Sequence, residues 1–224
     1  LNFSKEFNPK LTVGGNLRYS HSDNDAISKS NRQNILPGDS TSFYNENNNS
    51  NTRSDNVAAD IRMEWKPDSL TQIIFRPNFS YGKTDNSSSS LSGTFNVDPY
   101  SLVTNPNDYL DFDVINNEDP LKDIRVNATN TGSLSDSKTV STDATLQINR
   151  KLNDKGRNVT FRGRFGYGDN DNNQYTESMT RYYQIPTNPD STLIRNQYIT
   201  TPTNNYSYSA QVTYSEPIAR ATFL

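Results

Sequence analysis

The sequence predicts an all-β chain, an antiparallel up-and-down meander forming part of the wall of a transmembrane β-barrel with long extracellular loops. Three observations predict it. Apolar and polar residues alternate with period two over arms of about 9–11 residues, the length of a barrel-spanning strand. Short and long connections alternate along the chain, as the short periplasmic turns and long outer loops of a membrane barrel do. Aromatic residues gather at the two ends of the arms and mostly aliphatic or small ones between them, Phe75 and Phe161 excepted, the order that a bilayer selects.

The clearest arms run from Val57 to Tyr81. Val57, Ala59, Ile61, Met63 and Trp65 alternate with Ala58, Asp60, Arg62 and Glu64. After Lys66-Pro67-Asp68-Ser69, a turn sequence, Ile73, Phe75, Phe79 and Tyr81 oppose Gln72, Arg76, Asn78 and Ser80. Before this hairpin, Leu1–Phe7 reads as an incomplete strand, and Leu11–His21 as a full one after a turn at 8–10. After it come arms at Val140–Ile148, Val159–Tyr167 and Tyr206–Tyr214, with turns at 151–157 and 215–221. Thr222-Phe223-Leu224 opens a last, incomplete strand. Residues 1–224 are thus expected to be one piece of a barrel domain of about eight strands, with neither plug nor signal peptide.

The long polar segments 22–56, 82–139 and 168–205 are read as outer loops. Arg32–Leu36 and Thr41–Tyr44, around Pro37-Gly38-Asp39, suggest a hairpin beyond the main sheet. Tyr175–Ile185 and Thr192–Thr201, around Thr187–Ser191, suggest a second. Asp98-Pro99-Tyr100 and Pro106–Leu110 offer starts for short helical turns.

The 224 residues are 31% hydrophobic, a thin supply for a conventional core, yet they include 13 Tyr, 10 Phe and 1 Trp, too many aromatics for simple disorder. Formal net charge is −3 with both signs interspersed, so no nucleic-acid partner is expected. Cysteine is absent, which excludes disulfides and thiolate metal sites. His21 is the only histidine and sits at a strand end, and no hydrolase or phosphate-loop motif occurs. No catalytic, cofactor-binding or metal-binding residue is expected. Asp169, Asp171 and Asn173 have the spacing that begins a calcium loop, but the glycine and glutamate that complete one are missing, so a solvated loop is the better reading. Tyr182, Tyr183 and Tyr198 could stack on sugars, or pack across strands.

The polar side of the alternation gives Arg18, Asp60, Arg62, Glu64, Arg76, Asp143, Arg162 and Arg164 as a lumen lining, with a self-compensating ion network as the plainer alternative. The apolar side gives an aromatic girdle of Tyr19, Trp65, Phe79, Tyr81, Phe165, Tyr167, Tyr206, Tyr208 and Tyr214, with Phe7 and Phe223 at the short-turn ends.

Trp65-Lys66-Pro67-Asp68-Ser69, followed by Ile73-Ile74-Phe75-Arg76-Pro77 and Ser80-Tyr81, resembles the Bacteroidetes outer-membrane β-barrel family related to TonB-dependent receptors. Tyr214-Ser215-Glu216-Pro217-Ile218 is similar to its periplasmic turn, and Asp98-Pro99-Tyr100 with Asn105–Tyr109 to one of its outer loops. The resemblance runs over essentially the whole chain. It implies the cell outer membrane, lipid, and the remainder of the barrel and its plug as partners. It also implies nutrient uptake, with TonB contacted through parts outside these residues. The alternative from a different class is a soluble or surface-displayed β protein that binds glycans or mediates adhesion, which would need a second sheet over its apolar face.

Overall fold

The computed structural model describes residues 1–36, 40–113, 115, 119–184, 191–219 and 222–223. The turn residues 37–39, most of Thr187–Ser191, and residues 220–221 of the last turn lie outside them. The chain is an antiparallel meander, as the alternation predicts. Its strands are β1 (Asn2–Asn8), β2 (Leu11–Leu36), β3 (Ser40–Asp68), β4 (Thr71–Phe95), β5 (Arg125–Lys151), β6 (Asn158–Tyr182), β7 (Ser191–Thr200), β8 (Thr203–Ser215), β9 (Pro217–Ala219) and β10 (Thr222–Phe223). β1 to β7 pair in sequence order, β8 pairs with β6, and β9 and β10 form a small hairpin of their own. The eight-stranded sheet is not closed into a barrel.

β7 and β8 are two lengths of one edge strand. Asn173 of β6 faces Thr200 and Asn170 faces Thr203, so the register runs through the gap between them. Thr201 N–H still donates to Asn172 O at 2.8 Å. The break falls at Pro202, which has no N–H to offer and so blunts the free edge at that point.

The strands are far longer than the alternating arms. β2 has 26 residues, β3 29 and β5 27, where about 9–11 cross a bilayer. The segments 22–56, 82–139 and 168–205, expected as loops, are mostly ladder: Ser22 to Leu36 pair residue for residue with Ser54 back to Ser40. Asn, Ser and Thr on both faces leave no hydrophobic period to read, while the backbone bonds form regardless of side chain. Both outer hairpins are present as extensions of this sheet, Ile35 facing Thr41 and Tyr182 facing Ser191. Asp169, Asp171 and Asn173 lie in β6 rather than in a loop. Extended backbone sets them about 7 Å apart along one line, which cannot wrap an ion.

The short turns are built from side-chain caps. Asp68 Oδ1 accepts the Leu70 N–H at 2.8 Å and Oδ2 the Thr71 hydroxyl at 3.0 Å, and these bonds hold its carboxyl below the usual range. Asn153 accepts from the Lys155 and Arg157 N–H groups, and Gly156, at φ 102°, takes the left-handed position.

The one long connection among the described residues, 96–124, folds back onto the sheet. Short 3-10 turns form at Pro99–Ser101, Pro106–Tyr109 and Lys122–Ile124, two of them where the Pro-containing stretches predict helical starts. Asp98 caps the first by accepting the Tyr100 N–H. Leu110 and Leu121 bury completely with Phe95, and a Cβ on Gly93 would meet Leu110 Cδ2 at 3.0 Å. A bulge where β4 meets β5 sets Arg125 opposite Phe95 instead of continuing the alternation. Arg125 is wholly buried. Its Nη2 donates to Asp119 Oδ2 and to Tyr109 O, both at 2.8 Å, and its guanidinium lies 5.2 Å from the Phe95 ring centroid. Asp119 Oδ1 also accepts the Leu121 N–H at 3.0 Å.

One buried ion pair therefore ties the returning loop to the sheet. Asp119→Ala leaves the Arg125 charge buried without its partner and should cost about 3–5 kcal/mol. Limited proteolysis of the full-length protein should then cut within 96–124, where the unsubstituted protein resists.

Candidate functional site: a wall with two unlike faces

Antiparallel register holds from β2 to β8, so side-chain parity sorts every strand onto two faces. On one face the rows read Tyr19–Val57–Tyr81–Val140, then Leu17–Ala59–Phe79–Thr142–Tyr167–Tyr206, and on to Leu11–Trp65–Ile73–Ile148–Phe161–Val212. From β2 to β5 none of these rows carries a charge. Eight residue steps from Val57 to Trp65 make about 27 Å of strand. Nothing among the described residues covers this band: Leu17, Ile61, Trp65, Phe79, Phe165, Tyr208 and Val212 are all exposed.

All nine girdle aromatics lie on this face. They do not share one register row at either end. Tyr19 and Tyr81 are in the first row, Phe79, Tyr167 and Tyr206 in the second, and Phe165 and Tyr208 in the next, with Ile61 and Ala144. At the other end Trp65 faces Leu11, while Tyr214 sits one row further along, opposite Val159. Both ends step in the same direction across the sheet. Tyr167 and Tyr206 touch, with ring centroids 5.0 Å apart. Immediately beyond Tyr19 and Tyr81 the same face becomes charged. His21 and Asp55 pair at 2.8 Å, Asp23 pairs with Arg53 at 2.8 Å, and Lys83 with Asp85 at 2.7 Å. The Tyr19 hydroxyl, then His21, hold the Asp55 carboxyl below its usual range. The cap formed by 96–124 packs further out on this face, over Phe43, Leu91 and Phe95.

The opposite face brings together all eight residues assigned to a lumen lining. Arg18 faces Ala58, Asp60 faces Asn78, Asn78 faces Asp143, Arg76 faces Thr145, Thr145 faces Arg164, and Gln147 faces Arg162. Sequence reading missed the amides that link them. Gln72 Nε2 donates to Glu64 Oε1 at 2.7 Å, Asn149 Nδ2 to Gln72 Oε1 at 3.3 Å, and Gln147 Nε2 to Asn149 Oδ1 at 3.0 Å. Arg162 Nη2 completes the chain on Gln147 Oε1 at 2.9 Å. Lys66 and Arg62 both reach Glu64 at 3.3 Å. This network crosses four strands, and its amides carry little signal beyond their polar parity. Asn78 also donates to Asp60, and Ser80 meets Ser141 at 2.7 Å.

Several glycines of the polar face are crowded, as is Gly15 on the apolar one, where a Cβ would meet Asp60 O at 2.6 Å. An added Cβ would lie 2.6 Å from Ser207 Oγ at Gly166, 2.4 Å from Asn205 Oδ1 at Gly168 and 2.9 Å from Asn56 Oδ1 at Gly82.

Of the three tyrosines weighed for sugar stacking, Tyr198 instead faces Tyr175 across β6 and β7, and its hydroxyl donates to Asn173 at 3.2 Å. Among the described residues no cluster of His, Asp and Glu is arranged to hold a metal ion.

No protein-family model matches the chain, and no curated protein does. Among solved structures, one titled crystal structure of lipopolysaccharide binding protein aligns with 88% of this chain and 77% of that chain at 10% identity. Its TM-score is 0.12, a likeness too slight to bear on fold or function.

Crowding predicts opposite outcomes at two glycines. Gly166→Ala should lower stability by about 1–3 kcal/mol through overpacking on the polar face. Gly132→Ala, where a Cβ meets nothing within 4 Å, should be neutral or slightly stabilising. Thermal unfolding of the full-length protein in detergent measures both.

Proposed function

We propose that the chain is a stretch of wall from an outer-membrane β-barrel related to TonB-dependent receptors, with a role in nutrient uptake. The observation that carries this reading is the sidedness of a single sheet. A bilayer-facing surface must be apolar over about 25 Å and charged directly outside it, and a lumen surface must be polar throughout. The uncovered apolar rows meet the first requirement, with charge returning at His21, Asp55 and Lys83. The Glu64–Arg162 hydrogen-bond chain meets the second. The staggered aromatics then stand at the two interfaces, where amphipathic rings are favoured.

The remaining barrel strands would pair with the free edges at β1 and at β7–β8. The extensions of β2 to β7 would carry the hairpins outside the membrane. The cap of 96–124 packs on the outward side of those extensions, so it is no lid across the lumen. A glycan-binding or adhesive soluble protein remains the second reading. It would require a second sheet over the apolar rows, whereas the described strands make a meander with no crossover to one.

Two measurements on the full-length protein test the proposal. An epitope inserted at Thr104, exposed in the outer connection, should be cut by protease on intact cells. One inserted at Asp154–Lys155, in a short turn, should be cut only after the outer membrane is opened. Protein recovered in the soluble fraction, or equal access to both tags, sinks the membrane reading. Adjacent substitutions on β5 should also diverge. Leu146→Arg on the apolar face should cost about 2–4 kcal/mol in lipid, and Thr145→Glu on the polar face, opposite Arg76 and Arg164, should be tolerated, read as the folded fraction after reconstitution.

A further inference from the structure

We infer that the inner face carries a binding row for a small anion, made by Arg76 and Arg164 on either side of Thr145. This rests on the barrel reading above and adds a solute class to it.

Arg76 and Arg164 both face Thr145, from β4 and β6 respectively. Two strand spacings separate their backbones by about 10 Å, a gap that two long guanidinium side chains can close on one acidic group. Arg62 lies in the same row, since Asp60 faces Asn78 and Glu64 faces Ile74 on either side of it, which sets Arg62 opposite Arg76. Like charges directly opposite each other destabilise a sheet, so this placement has a cost that strand pairing does not explain.

The surrounding groups do not neutralise the row. In it and the rows on either side, Arg62, Arg76, Arg162 and Arg164 stand against Asp60, Glu64 and Asp143. Glu64 is taken by Gln72, Lys66 and Arg62, and Asp60 accepts from Asn78. Arg162 is bonded to Gln147. Arg76 and Arg164 are exposed and make no hydrogen bond or ion pair among the described residues, and only Asp143, in the next row along β5, remains to face them. A self-compensating network would use these two guanidinia first, because they are planar forks suited to bidentate carboxylates. The geometry suits a carboxylate or phosphate held between them, with Thr145 beneath and Asp143 able to accept from a hydroxyl or ammonium of the same molecule.

The test is calorimetric titration of the full-length protein, purified from membranes, with citrate and separately with inorganic phosphate. The unsubstituted protein should bind at least one of them, with affinity falling as salt rises. Arg76→Gln and Arg164→Gln should each weaken binding about tenfold. Arg76→Lys should lose less, since it keeps the charge without the fork. Arg53→Gln, on the opposite face, should change nothing. Each variant is first checked for the heat-dependent gel shift of the unsubstituted protein, so that lost binding is not lost folding; a failed glutamine variant leaves the lysine variant to decide. Unchanged affinity in folded Arg76→Gln and Arg164→Gln overturns the inference. So does the absence of binding to either anion, the result expected if an acidic surface of the protein's own plug already covers the row. These outcomes leave the surface-protease result untouched, so failure here is distinct from failure of the barrel reading.

Discussion

The structure depends on one constraint, the unbroken antiparallel register from β2 to β6. Each hairpin hands its pairing to the next without a slip inside the paired arms; the irregularities fall at strand ends, as between Trp65 and Asp68 and between Thr94 and Phe95. Because the side-chain period of a strand is two, a slip of one residue would exchange the faces of everything beyond it. Held register turns a local alternation into two surfaces many strands wide. Turn chemistry sets it: the Asp68 and Asn153 caps fix where each hairpin begins, and every row above inherits that choice.

From this follows the contrast between faces. Leu11, Trp65, Ile73 and Ile148 come from four strands yet form one apolar row. Glu64, Gln72, Asn149, Gln147 and Arg162 form one hydrogen-bonded path on the reverse. A sheet in water would bury one of these faces against a second layer. Here, among the described residues, the apolar face stays open, and the polar one carries a hydrogen-bonded path that leaves Arg76 and Arg164 outside it. The same register carries the sheet well past the apolar rows, where both faces turn polar and charge pairs such as Arg53 with Asp23 replace the aliphatic side chains.

The cap over the end of β4 obeys a different rule. It is the one place among the described residues with a small closed core, and it forms where the register is broken. The bulge before Phe95 swings Arg125 onto the face of Leu110 and Leu121, and burial of that charge then requires Asp119. A regular ladder would have left the 96–124 connection without an anchor.

The amino-acid sequence by itself determined the all-β meander, the turns near 8–10, 66–69 and 151–157, and the face on which each aromatic and charged residue of the arms lies, because period-two alternation and turn residues are local properties that register merely extends; the turn expected at 215–221 instead holds the strand Pro217–Ala219. It could not disclose the strands running through 22–31, 45–56, 82–95 and 125–139, since Asn- and Ser-rich ladders have no apolar period and low intrinsic β-propensity. Nor could it disclose the amide bridge through Gln72, Gln147 and Asn149, or the burial of Arg125, because those depend on which residues face each other across strands. Tertiary structure alone decided that Arg62, Arg76 and Arg164, far apart in the chain, stand in one row: adjacency across a sheet is fixed by register, and register is a property of pairs of strands.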